Sequence, residues 1–179
     1  MTRLFIAIRP PQPALDHLAQ ATANLDPTSL KIVPDENLHI TLVFLGQVPS
    51  GYIPELCKTL DQVSDTSGRQ LKLQLSGAGH FRNDSLWIGV RECPNRWLTE
   101  LTNEVNQAIE NSPLDARNLR NHEPRHRKFK AHLTVARQRK GGDVDLSEIS
   151  HALSVYQGEE WPANDFSLFS SELGAGRGG

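Results

Sequence analysis

Leu38-His39-Ile40-Thr41-Leu42-Val43-Phe44-Leu45 carries a pattern that returns 93 residues later in Ala131-His132-Leu133-Thr134-Val135-Ala136. Both stretches read His-apolar-Thr-apolar inside an otherwise apolar run. Alternation of this kind marks a half-buried strand, because successive side chains point to opposite faces. His39 and Thr41 therefore share one face, His132 and Thr134 share another, and Ile40 and Leu133 point into a core. A polar face of His and Thr built twice in one chain is a signal that neither copy carries alone.

The surrounding composition is that of an ordinary globular protein. The chain has 179 residues, 37% of them hydrophobic and 22% charged, with 11 Pro. That is enough chain for one domain, or two small lobes sharing a core. No apolar run approaches membrane-spanning length. Leu4 to Ile8 is too short for a signal-peptide core and runs into Arg9-Pro10-Pro11, so a cytoplasmic location is expected. Cys57 and Cys93 stand alone, with no close Cys or His spacing, which argues against a zinc site or a disulfide framework. The net charge of -2 excludes a broad non-specific nucleic-acid surface. Yet nine of the 19 Lys and Arg lie between Arg117 and Lys140, against the single acid Glu123. Because this segment contains the second His-Thr pair, it points to an anionic ligand held locally. His122-Glu123-Pro124-Arg125-His126 has metal-ligand residue types, but its Pro breaks the helix such spacing needs, and it reads as loop.

Around these stretches the periodicity predicts strands at Leu4 to Ile8 and Leu30 to Val33, then a turn at Pro34 to Asn37 leading into the first His strand. Helices are predicted at Pro13 to Leu25, Tyr52 to Val63, Trp97 to Ile109 and Leu146 to Val155. Leu71, Leu73 and Leu75 alternate with polar residues as a strand that ends in a turn at Gly77-Ala78-Gly79. Ser85 to Val90 returns as a strand. Asn111 to Lys130 reads as a long connection, a final strand is expected near Asn164 to Ser171, and Gly174 to Gly179 as a flexible tail. Helices and short strands alternate with no Gly-rich phosphate loop. The expected fold is α+β with mostly antiparallel sheet, and the repeated strand suggests two related lobes meeting at the site.

Two imidazoles with unperturbed pKa values of about 6.5 suit acid–base catalysis near neutrality. One takes a proton from a nucleophile while the other gives one to a leaving group. A Thr two residues along points the same way and donates to a non-bridging oxygen. The four groups together suit phosphoryl transfer without a metal or other cofactor. Arg137, five residues after His132, offers a bidentate contact to the same phosphate. Strict alternation turns Arg137 away from His132 and Thr134, so that contact requires a bulge; Phe44 stands in the same relation to His39.

At these residues the chain resembles the two-histidine phosphoesterases, most closely the bacterial and archaeal RNA 2′,3′-cyclic phosphodiesterases, also called the 2′-5′ RNA ligase family. The likeness runs through Arg3-Leu4-Phe5-Ile6-Ala7-Ile8, the block Val33 to Gly46, Leu86-Trp87-Ile88-Gly89-Val90, Phe129 to Arg137 and Phe166 to Leu173. It implies a bilobal α+β domain over residues 1–173 with pseudo-two-fold symmetry, helices on the outer faces and a central cleft lined by both motifs. It implies that a 2′,3′-cyclic phosphate on an RNA or nucleotide end is opened to a 2′-phosphate without metal; separately, a monomer is expected. His39 would be the general acid on ribose O3′ and His132 the general base on water. Thr41, Thr134 and Arg137 would hold the phosphate, and Phe44 would stack on the base. Weak 2′-5′ ligation would follow from microscopic reversibility. The chain departs from the family pattern at Ala131, where Pro is usual, and after Leu173, where relatives commonly continue into another strand. Two alternatives stay open: a binding protein for RNA ends with little catalysis, and a phosphodiesterase on a non-RNA cyclic phosphate such as ADP-ribose 1″,2″-cyclic phosphate.

Overall fold

A computed structural model describes residues 1–64, 71–93, 95–114, 129–163 and 165–171. The expectations for the tail at 174–179, for chain beyond Leu173 and for the 122–126 cluster lie outside the described residues, as does most of the 111–130 connection.

The described elements are β1 (Thr2–Ile8), α1 (Gln12–Ala21), β2 (Leu30–Ile32), β3 (Ile40–Val48), α2 (Ile53–Ser64), β4 (Lys72–Phe81), β5 (Ser85–Cys93), α3 (Trp97–Asn111), β6 (His132–Gln138), α4 (Leu146–Ala152), β7 (Gln157–Pro162) and β8 (Ser167–Ser171). All the strand pairings are antiparallel, in the order β7-β4-β5-β6-β3-β1-β8, with β2 also pairing β6. This is the α+β, mostly antiparallel architecture that the alternation suggests.

The order is symmetric about its middle. β1 and β8 stand to β3 as β5 and β4 stand to β6. The two halves join where β3 meets β6 at one paired position, Ile40 opposite Leu133. Both side chains are fully buried. Truncating either, for example Leu133→Ala, is expected to cost about 3 kcal/mol and to loosen the seam that holds the two motifs together.

One continuous core joins alternate strand residues (Leu4, Ile6, Ile40, Leu42, Leu73, Leu75, Leu86, Ile88, Leu133) to the apolar stripes of the helices. Leu15 and Leu18 of α1, Leu56 and Leu60 of α2, and Leu98, Leu101, Val105 and Ile109 of α3 lie in that core at helical spacing. The helices thus cover the face opposite the His and Thr side chains. Where no side-chain cap stands at its start, α3 receives the Glu92 carboxylate on the Leu98 N–H. α4 starts conventionally, with Asp145 accepting from Ser147 N at 2.8 Å.

Three expectations are corrected. Gly77-Ala78-Gly79 is no chain-reversing turn: β4 runs straight through it, with a register shift between Leu75 and Ala78 and Gly77 at φ +67°. Glycine here bends a strand rather than ending one. β7 has no place in the predicted order because Gln157-Gly158-Glu159-Glu160-Trp161-Pro162 lacks an apolar alternation; it is a polar edge strand beside β4. The first helix stops at Ala21, where the Thr22 hydroxyl turns back to the Leu18 carbonyl at 3.0 Å.

Candidate active site

His39 stands at the entry to β3 and His132 opens β6. The single pair Ile40 opposite Leu133 joins the two motif strands, and His39, Thr41, His132 and Thr134 are the residues that flank it. Both His and both Thr are half-buried.

Each imidazole is held the same way. His39 Nδ1 lies 2.6 Å from the Asn37 carbonyl oxygen, and His132 Nδ1 lies 2.7 Å from the Lys130 carbonyl oxygen. A carbonyl only accepts, so Nδ1 carries the hydrogen and Nε2 is left for the substrate. The anchoring carbonyls are themselves tied down. Asn37 closes a 3-10 turn over Asp35–Asn37, which Arg9 grips through the Glu36 carbonyl at 2.8 Å and the Asp35 carboxylate at 3.3 Å. Lys130 sets its ammonium 4.0 Å from the centre of the Trp87 ring.

The bulges required for Arg137 and Phe44 are present. In the pairing of β5 with β6, Trp87 faces Thr134 while Leu86 faces Ala136, leaving Val135 as an extra residue. In the pairing of β1 with β3, Ala7 faces Thr41 while Ile6 faces Val43, leaving Leu42 extra. Each bulge comes directly after a motif Thr. Each reverses the parity beyond it, and so returns the residue five positions after the His to the His face. Phe44 and Arg137 are thus equivalent positions in the two halves. Phe44 is 6.0 Å from Phe5. Arg137 is exposed, with Nη1 3.3 Å from the Asp84 carboxylate.

Aromatic walls beside each His were not singled out from the sequence. Phe5 packs on His39 at 4.6 Å between ring centres and stacks on Phe169 at 5.3 Å. Phe81 meets His132 edge-on at 5.1 Å, and Trp87 lies 6.1 Å from the same ring. Gly79 makes room for Trp87, since a Cβ there would fall 2.2 Å from the indole. The signal that could have found these residues was their parity, one strand and then two strands away from a motif.

Electrostatics sets His39 apart. Burial holds its pKa below the ordinary 6.5, the Asn37 carbonyl pulls it partly back, and a positive His132 adds a smaller push down. Among the described residues no three His, Cys, Asp or Glu side chains gather as a metal cluster. A hollow of about 630 Å³ opens at the far end of β6, lined by residues including Asn83, Gln138, Arg139 and Asp143. Its lining contains neither His39 nor His132. Cys57 and Cys93 are free and exposed. No helix among the described residues is long and apolar enough to cross a membrane.

Comparison with known proteins gives a consistent picture. A family model described as LigT-like phosphoesterase matches residues 8–91. An RNA 2′,3′-cyclic phosphodiesterase of Archaeoglobus fulgidus is 33% identical over 176 residues, covering 96% of this chain and 92% of the relative. The crystal structure of a Thermus thermophilus protein superposes with a TM-score of 0.74 at 25% identity, over 96% of this chain and 89% of that one. Escherichia coli LigT in its apo form superposes with a TM-score of 0.68 at 26% identity, over 98% and 91%.

Proposed function

We propose, because the chain belongs to the LigT-like phosphoesterase family, that it opens 2′,3′-cyclic phosphates at RNA or nucleotide ends to 2′-phosphomonoesters, using His39 and His132 as a metal-free acid–base pair. The observation that carries this reading is the matched anchoring of the two imidazoles, each with Nδ1 on a carbonyl two residues upstream. On this reading the two Nε2 atoms serve one phosphate at the Ile40–Leu133 seam.

His39 protonates O3′ as the P–O3′ bond breaks, and His132 takes a proton from the attacking water. Thr41 and Thr134 donate to the non-bridging oxygens, where charge builds in the transition state. Arg137 adds a charge-assisted contact once the phosphate competes with Asp84 for the guanidinium. Phe44 stacks on the base of the nucleoside that carries the ring. The lowered pKa of His39 fits the acid role if the proton is acquired with the substrate, since an arriving phosphate anion favours the charged imidazole. Residues 1–173 act as one bilobal monomeric unit, with weak 2′-5′ joining as the reverse direction.

Incubation with 2′,3′-cyclic AMP and excess chelator is the test. Formation of 2′-AMP that disappears in His39→Ala and in His132→Ala supports the reading. No turnover, or turnover indifferent to both substitutions, overturns it. Tight binding of a 2′-phosphate end without turnover would instead select the RNA-end binding alternative.

A further inference from the structure

The geometry points to Phe81 as a platform for a second nucleoside, one whose ribose 5′-hydroxyl replaces water as the attacking group. The inference rests on the assignment of His132 as base. In an in-line displacement the attacking and leaving oxygens lie on opposite sides of phosphorus. The leaving O3′ belongs to the nucleoside on the His39 side, beside Phe44. Whatever attacks must therefore approach from the His132 side, and any nucleoside attached to it must lie there too.

That side carries a stacking surface that hydrolysis of a mononucleotide does not use. The exposed large apolar side chains among the described residues are Met1, Ile32, Phe44, Phe81 and Val155. Only two of them are aromatic, and both lie in the site, one in each half: Phe44 is 37% exposed and Phe81 41%. Phe81 meets His132 at 5.1 Å and Trp87 at 5.5 Å between ring centres, and the rest of its ring is open to solvent. Its neighbour Trp87 is not available for stacking, being 7% exposed and covered by Lys130. Phe81 is also held in place. It ends β4, the Asp84 N–H returns to its carbonyl at 3.0 Å, and the turn takes Arg82 into the left-handed region at φ 47°. A fixed, solvated Phe beside a basic imidazole matches the way single-stranded bases are held, by an aromatic face indifferent to base identity.

The step balances without any co-reactant. The P–O5′ bond forms and the P–O3′ bond breaks. The O5′ proton passes to His132 Nε2, and His39 Nε2 gives its proton to O3′. The product is a 2′-5′ phosphodiester with a free 3′-hydroxyl.

The experiment supplies the full chain with 2′,3′-cyclic AMP and, in parallel, adenosine or methanol as the competing alcohol, and measures 2′-AMP, the 2′-5′ dinucleoside and the methyl ester. Wild type is expected to favour adenosine over methanol per mole of acceptor. Phe81→Leu keeps apolar contact with His132 but has no flat face, and should lower the adenosine-to-methanol ratio about tenfold, whereas Phe81→Tyr should preserve it. Because the readout is a ratio of products from the same preparation, partial loss of folded protein does not affect it. An unchanged ratio in Phe81→Leu, or a wild type that does not prefer adenosine, overturns the inference while leaving hydrolysis intact. Absence of 2′-AMP in every sample would instead overturn the cyclic phosphodiesterase reading beneath it.

Discussion

The half of the sheet built on β3 and the half built on β6 place the same atoms in the same way and then surround them differently. Both hold a His through Nδ1 on a carbonyl, follow it with a Thr, and insert a bulge that brings the fifth residue back to the site. Around His39 that residue is Phe44 and the walls are Phe5 and Phe169, an apolar nest that disfavours charge. Around His132 the fifth residue is Arg137, and Lys130 rides on Trp87, so cations line the approach. A repeated backbone device thus supplies geometry, and the side chains that differ divide the labour. In the proposed reaction the apolar half would handle the nucleoside and the leaving oxygen, and the cationic half the phosphate and the attacking group.

The largest expected effects come from what the halves share. His39→Ala and His132→Ala should each lower kcat on 2′,3′-cyclic AMP by roughly 10³-fold. The double substitution should be little worse than either single one, because the two act as a unit; strictly multiplicative losses in steady-state assays would separate the halves into independent sites. Thr41→Val and Thr134→Val keep the strand shape and remove one donor each. Losses of about 10²-fold in kcat are expected from both, and a loss from only one would mean the phosphate sits within a single half.

Smaller effects come from what differs. Arg137→Ala should raise KM about tenfold with a modest change in kcat, while Phe44→Leu should raise KM less and be insensitive to salt, since it removes stacking rather than charge. Titrating KM against ionic strength distinguishes them. Gly79→Ala should crowd Trp87 at a cost of about 2 kcal/mol, lowering Tm by roughly 6 °C for a chain of this length. Histidine NMR should then show the His132 ring perturbed and the His39 ring untouched. The finest test is pH. With His39 as acid and its pKa below 6.5, kcat/KM in the free protein should already be falling on the alkaline side below pH 6.5. If the fall lies on the acid side instead, governed by that same group, the two roles are exchanged.

Much of this was legible in the sequence because alternation and repetition are local signals. Leu38 to Leu45 and Ala131 to Ala136 revealed the paired strands, their buried faces and the four central side chains. The bulges at Leu42 and Val135 were not legible, since both are apolar residues in apolar runs and a bulge changes pairing without changing composition. Arg137 and Phe44 could be connected to the site only by requiring such a bulge. The walls Phe5, Phe81, Trp87 and Phe169 depend on strand order, which brings together residues as distant as Phe5 and Phe169. β7 escaped because edge strands are kept polar and so lose the pattern that reveals them.

A crystal structure with 2′-AMP bound tests the central proposition most directly. Nε2 of His39 and Nε2 of His132 should each lie within hydrogen-bond distance of oxygens on the same phosphorus atom, with Thr41 and Thr134 on the remaining two. A phosphate reached by one imidazole alone, with the other ring turned to solvent, would contradict the shared site.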